Sequence, residues 1–435
     1  MITAGSGASQ THDRLPLPVR IVLAIPMRVG WGVLLAILLA ASAGLASPSE
    51  VDRVAGTARQ GVRSIVKRLS GAVFAGRDND TPESDRVQRL LIGKLRRFGT
   101  GLNVAAEGDD AFRQPFEQSG QIGTNLLAVI RGRELPDEYV IVGAHYDHLD
   151  SRSTPSGSCS IRNAPGGAIC PGATDNAAGV GAVLGIGRAL GKLSQPPRRS
   201  VVLALWDAEE DGLLGSLYYV QHPLVPLSKT VAYVNFDIQG ATLLPSLRRL
   251  SFSVGAETGG SALGAFVVDA VTAEGLATAP VSFIFGQLRS DYANFVRIGK
   301  VPTVFFSDST GGCYHTTGDT FDVVDTRKLA VQTRIGFRTT VALADALAPP
   351  PFRGENPAAA SYADALSLNH VFVTAQSDLP LFPPADQVLV QQLQSDVSAV
   401  VVAGPDAFGP AQVGTLLSAA AQGINALTRL PCQRF

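Results

Sequence analysis

Residues 139–149 read Tyr-Val-Ile-Val-Gly-Ala-His-Tyr-Asp-His-Leu, and the first six decide the fold. Val140, Ile141 and Val142 are β-branched, and residues 139–144 carry no charge and no polar alternation. Such a run is a strand buried on both faces, which requires a sheet covered by helices on both sides. His145 and Asp147 follow it at once, where the chain leaves the sheet.

Working outward, runs of the same kind occur at 125–130, 200–206, 230–236, 250–254, 281–285 and 301–306. Between them lie stretches with helical spacing of apolar residues: 83–98, 176–192, 213–221, 262–274, 291–298 and 327–348. Strands alternating with helices predict an α/β fold, a three-layer α/β/α sandwich around a mostly parallel mixed sheet. Pro349-Pro350-Pro351 breaks the pattern. Residues 349–435 read as a Pro-rich linker and a C-terminal helical extension, irregular at first and then helical at 386–402 and 411–428.

At the other end, Arg14, Arg20 and Arg28 precede an uncharged stretch, 29–46, that ends in small residues. That order is a secretory signal, so residues 1–46 are expected to be a signal peptide and the body to be periplasmic or secreted. The competing reading is an uncleaved signal anchor, because eighteen residues lie at the short end of the roughly 17–25 that span a bilayer. The membrane would then be met only through this segment. The body itself, at 46% hydrophobic and 17% charged, is globular in composition. A net charge of -1 offers no electrostatic footprint for nucleic acid.

The four cysteines, Cys159, Cys170, Cys313 and Cys432, suit an oxidising compartment, and none forms a Cys-x-x-Cys unit. A short Gly/Pro/Ser-rich loop separates Cys159 from Cys170, so that pair is expected first, leaving Cys313 for Cys432.

In an open α/β sheet, ligands bind beyond the carboxyl ends of the strands. Residues 139–144 run into His145 and Asp147, residues 200–206 into Glu209-Glu210, and residues 230–236 into Asp237. Residues 301–306 lead towards His315, and Asp175 stands before the helix at 176–192. Taken singly, each is ordinarily a turn residue or a helix cap. The set resists that reading: turns need no histidine, and an adjacent glutamate pair beside a buried strand end calls for solvent or a cation. Two histidines and three carboxylates suit zinc, with cobalt or manganese as rivals. A pair of metals about 3.5–4 Å apart activates water for amide hydrolysis. Gly179-Val-Gly181 lies within a helix rather than after a strand, so it is no dinucleotide fingerprint, and neither a Walker A sequence nor a Gly-x-Ser-x-Gly elbow is present.

These residues resemble the M28 zinc aminopeptidases of the bacterial leucyl-aminopeptidase type. The resemblance rests on Val142-Gly-Ala-His-Tyr-Asp-His-Leu149, Gly172-Ala-Thr-Asp-Asn-Ala-Ala-Gly179, Ala208-Glu-Glu-Asp-Gly-Leu-Leu-Gly-Ser216, Asn235-Phe-Asp237, Ser290-Asp-Tyr-Ala-Asn-Phe295 and Tyr314-His-Thr-Thr-Gly-Asp319. It implies a zinc-exopeptidase fold over residues 50–348 and two zinc ions bridged by Asp175. One ion would add His145 and Asp237, the other Glu210 and His315. Glu209 would be the general base, Asp147 would orient His145, and His148 would be a rim residue. Peptides would be shortened from the N-terminus. A carboxypeptidase or dipeptidase on the same site, a one-zinc glutaminyl cyclase and a catalytically dead binding protein are the alternatives. Two positions depart from the family pattern: Tyr292 stands where His is usual, and Gln287 where some secreted relatives place a tyrosine that stabilises the tetrahedral intermediate. Tyr314 or His148 would be the substitutes for that task.

Overall fold

The computed structural model describes residues 47–74, 76–149, 159, 169–354 and 360–434. The expected leader, residues 1–46, lies outside them. Among the described residues no helix is long and apolar enough to cross a membrane.

The chain opens with α1 (Pro48–Ala58), α2 (Val62–Leu69) and α3 (Pro82–Leu95), followed by β1 (Thr100–Gly101), β2 (Arg113–Gln118), β3 (Gln121–Ile130) and β4 (Leu135–His145). Then come α4 (Ala178–Leu190), β5 (Arg199–Trp206), α5 (Leu214–Gln221), β6 (Thr230–Phe236), β7 (Leu250–Val254) and α6 (Gly260–Glu274). The remainder is β8 (Ala277–Val281), α7 (Tyr292–Arg297), β9 (Thr303–Ser307), α8 (Thr326–Asp345), α9 (Tyr362–Ala375), α10 (Pro384–Ala403) and α11 (Pro410–Thr428). Proline opens α1, α3, α10 and α11, where its missing N–H leaves no bond unmade.

The strands form one mixed sheet in the order β1-β3-β5-β4-β6-β9-β7-β8, with β2 paired to β3. The central four, β5, β4, β6 and β9, run parallel. Antiparallel pairing enters on the flanks, where β3 meets β5 and β7 meets β9. The register sets Gly143 of β4 beside Ala204 of β5 and Asn235 of β6, which brings the carboxyl ends of these strands to one rim.

Alternate residues of each central strand feed opposite layers, as the two-residue period of a strand dictates. Val140, Val142 and Ala144 face one core with α1, α2, α4 and α8. Tyr139 and Ile141 face a second core with α5, α7 and the C-terminal helices α9–α11. The helices beyond Pro351 thus pack on the sheet through Leu368, Val397 and Leu416.

Helices α1 and α2 and strands β1 and β2 have no counterpart among the expected elements, and two expected segments differ. Residues 281–285 are not a strand: β8 ends at Val281, and Phe283–Gly286 is a 3-10 turn. The run is apolar because Phe283 and Phe285 are buried in the second core, not because it is sheet. The stretch after Pro351, expected to be irregular, contains α9, whose start is fixed by a Ser361/Asp364 capping box. Both expected disulfides are formed, Cys159–Cys170 and Cys313–Cys432.

Candidate metal centre

The rim of the parallel strands gathers every residue singled out there. His145 is the last residue of β4. Its Nε2 lies 3.2 Å from Asp237 Oδ1, 3.3 Å from Asp175 Oδ1 and 3.8 Å from Glu209 Oε2. From the other side, His315 Nε2 lies 3.3 Å from Asp175 Oδ2 and 3.0 Å from Glu210 Oε2. Asp175 therefore stands between two imidazoles, one at each carboxylate oxygen. His145, Glu209 and Asp237 form one cluster able to hold a metal ion, and His145, Asp175 and Glu210 another.

The backbone explains the convergence. Gly172 turns the chain with φ +53°, and a Cβ there would come within 2.5 Å of the His148 ring, so glycine is required. The Asp175 loop is clamped by Asp319, whose carboxylate accepts the N–H groups of Thr174 and Asp175 at 3.0 Å and the Thr174 hydroxyl at 2.8 Å. Asp319 follows His315 by four residues, so this clamp ties the two halves of the site together. Asp147 places its carbonyl 3.2 Å and its carboxylate 3.5 Å from His145 Nδ1. Its other carboxylate oxygen accepts the Glu210 N–H at 3.1 Å. One residue thus fixes both a histidine ring and the glutamate pair.

Three neighbours go beyond the sequence reading, one because it stands elsewhere than expected and two because no role was assigned to them. His148, expected at the rim, is fully buried, with Nδ1 2.7 Å from Glu210 Oε1. Arg77 is also fully buried beneath the site. It donates to the carbonyls of Tyr146 and Pro171 at 2.7 Å and of Gly172 at 2.8 Å, joining the His145 and Asp175 loops. Asp207, between Trp206 and the glutamates, accepts the Tyr146 hydroxyl at 2.7 Å and the Thr124 N–H at 2.8 Å.

Burying four carboxylates together is costly unless positive charge answers them. Burial, with Asp237, Glu210 and Asp291 nearby, pushes Glu209 well above the usual carboxylate range against the pull of His145. Burial likewise raises Asp237. At Asp175 burial opposes ionisation, but the hydrogen bonds with His145 and His315 outweigh it and hold the group well below its ordinary value. Burial also resists charge on His315, and Glu210 and Asp175 overcome it, raising that imidazole to about 10. The site asks for cations, and its nitrogen and oxygen donors fit a borderline-hard divalent ion.

The site opens into a cavity whose polar edge carries Gln287 and Arg289 beside the carboxylates. The Gln287 side-chain nitrogen is buried and has no hydrogen-bond partner among the described residues. Tyr292 stands away from the centre: its ring stacks on Phe305 and its hydroxyl accepts the Leu288 N–H at 3.0 Å. Tyr314 stacks on His315 at 3.7 Å between centroids, and Asp291 is fully buried.

Comparison with known proteins places this arrangement. Residues 125–338 match the model of peptidase family M28. Aminopeptidase NAALADL1 of Mus musculus is 32% identical over 229 residues, which cover 46% of this chain and 28% of that protein. Leupeptin-inactivating enzyme 1 of Streptomyces exfoliatus is 33% identical over 137 residues, 31% of this chain and 27% of that one. The chain spans little more than a quarter of the length of these relatives. Among solved structures, the Legionella pneumophila LapA aminopeptidase superposes with a TM-score of 0.54 at 18% identity, covering 69% of this chain and 76% of that one. Porphyromonas gingivalis glutaminyl cyclase gives 0.53 at 19% identity, covering 65% and 96%. Both share the fold. The region that carries the five His and carboxylate positions, residues 125–338, is therefore a peptidase family M28 domain.

Proposed function

We propose that the chain is an exported, zinc-dependent exopeptidase that removes N-terminal residues from peptides. The observation that carries this reading is Asp175, reached by His145 at one oxygen and His315 at the other, with Asp237 and, farther off, Glu209 beside His145 and with Glu210 beside His315. Such a donor pattern would suit a pair of metal sites that share Asp175: His145 and Asp237 would complete one, Glu210 and His315 the other. Bound there, zinc supplies a polarised substrate carbonyl and a water acidic enough to attack near neutral pH.

The protein's own groups do the rest. Glu209 faces the same cleft, 3.8 Å from His145 Nε2, and in this reading it is left off both ligand sets although it stands in the cluster with His145 and Asp237. Its carboxylate takes the proton of the attacking water and returns it to the leaving amine, the ordinary work of a general base turned acid. Asp147 holds the His145 ring by Nδ1, which leaves Nε2 for the centre. His148 holds Glu210 in the same manner. The partnerless Gln287 amide at the cavity edge is the donor best placed for the substrate carbonyl oxygen. Export is supported by the two disulfides, which persist in oxidising compartments.

The test is a panel of leucyl substrates with free and N-acetylated amino groups, together with C-terminally cleavable peptides. Only the free-amine substrates should turn over. Equal rates on the acetylated series would reject the aminopeptidase reading, and release of C-terminal residues would replace it with the carboxypeptidase alternative.

A further inference from the structure

The cavity that opens at the metal rim does not end there. It runs from the carboxylates into the seam between the sheet and the C-terminal helices, with a volume of about 150 Å³. Its body side is lined by Leu243, Phe285 and Phe305, and its outer wall by Leu368 and Phe372 of α9 and Ile424 of α11. Its charged lining is confined to the metal-site carboxylates and Arg289 at the polar edge. Beyond these the walls offer hydrocarbon and a few hydroxyl groups. Apolar lining comes from all three C-terminal helices.

We propose that residues 362–428 build the specificity pocket of this enzyme, and that it accepts a large apolar side chain on the residue whose carbonyl is attacked. The proposal rests on the aminopeptidase reading above, because that reading puts the scissile carbonyl at the carboxylates and the N-terminal side chain beyond them. The size argument is direct. A cavity of about 150 Å³ lined by Leu, Ile and Phe is large enough to hold a benzene ring. Leucyl and phenylalanyl groups fill it, an alanyl group leaves most of it unfilled, and a lysyl or glutamyl group extended past the polar edge would bury a charge against hydrocarbon. The gain from burial is about fourfold per methylene, so leucyl should be preferred over alanyl by on the order of 50-fold in kcat/KM. The C-terminal segment is thus part of substrate recognition. Gly423 of α11, also in the lining, supports this: a Cβ there would come within 3.1 Å of the Phe372 ring, so the helices approach closely around the cavity.

The experiment fills the pocket from two different helices, with Val371→Phe in α9 and Ala420→Leu in α11, in the zinc-loaded full chain. The first readout is the ratio of kcat/KM for leucyl and alanyl p-nitroanilide, which does not depend on the fraction of active protein. The wild type should give about 50, and each variant should bring the ratio below about 5. The second readout is calorimetric binding of n-butylbenzene to the metal-free protein, which should be detected in the wild type and lost in both variants. Turnover with an unchanged ratio in both variants, or a wild type that favours alanyl or lysyl substrates, overturns the pocket while leaving the aminopeptidase reading intact. Butylbenzene binding that the variants abolish, with no turnover of any free-amine substrate, supports the pocket and removes the aminopeptidase reading instead. Absence of butylbenzene binding to the wild type also counts against the pocket.

Discussion

The rim of the sheet and the wall made by the C-terminal helices meet at one cavity, yet they are built on opposite principles. The rim places carboxylates and histidines where burial is expensive and holds three of them with named hydrogen bonds: Asp319 on the Asp175 loop, Asp147 on His145, His148 on Glu210. The wall is almost wholly apolar and is positioned by packing on the second core. The difference separates chemistry from selection. A change at the rim should alter whether any substrate reacts, and a change in the wall should alter which one does.

The largest effects should come from the glutamate pair. Glu209→Gln retains the size of the side chain and loses the base, so kcat should fall by about 10²–10⁴ for every substrate alike, with metal content unchanged. Glu210→Gln should instead lower zinc occupancy, with activity recovered in part at high zinc. Metal analysis beside kcat for both variants checks this, and a loss of zinc from the Glu209 variant alone would show the roles to be reversed.

Arg77→Leu probes how the rim is held. It strands the Tyr146, Pro171 and Gly172 carbonyls, and each buried group left unpaired costs about 1–3 kcal/mol. Denaturant unfolding should show a loss of roughly 3–5 kcal/mol. A loss below about 1 kcal/mol would mean that water or a shifted loop satisfies those carbonyls.

A smaller effect is expected at the seam with the wall. Glu257 accepts the Phe283 N–H at 2.5 Å, and burial raises its carboxyl to about 7. A carboxyl raised in the folded state contributes stability that is present below its ordinary value near 4.5 and is lost as pH rises through about 7. Glu257→Gln should therefore be more stable than the wild type at pH 8, by about 2 kcal/mol, and should lose that advantage by pH 5. Thermal unfolding across this range measures it, and parallel curves for the two proteins would contradict it.

The same contrast explains what could be read from the sequence. The five proposed metal-site positions were legible because each is a histidine or carboxylate at a helix start or in the chain leaving an apolar strand, from directly after it at Asp237 to eight residues beyond it at His315. Arg77 was not, since nothing local marks an arginine in a turn as buried, and the three carbonyls it holds most closely lie 69 to 95 residues away. His148 read as a rim residue because its burial depends on Gly172 folding back over its ring. The wall was the least legible region. Helices α10 and α11 were visible as apolar periodic stretches, but a side chain that lines a cavity has the same chemistry as one that fills a core. Helix α9 was passed over, although the Ser361-x-x-Asp364 pattern at its start is a capping signal.

The central claim is a two-metal site bridged by Asp175, and a zinc titration of the metal-free protein tests it most directly. Hydrolysis of leucyl p-nitroanilide should rise until two equivalents of zinc are bound and then level off, and Asp175→Asn should bind neither ion tightly. Full activity at one equivalent, or an Asp175→Asn variant that retains two zinc ions and normal turnover, would contradict the account.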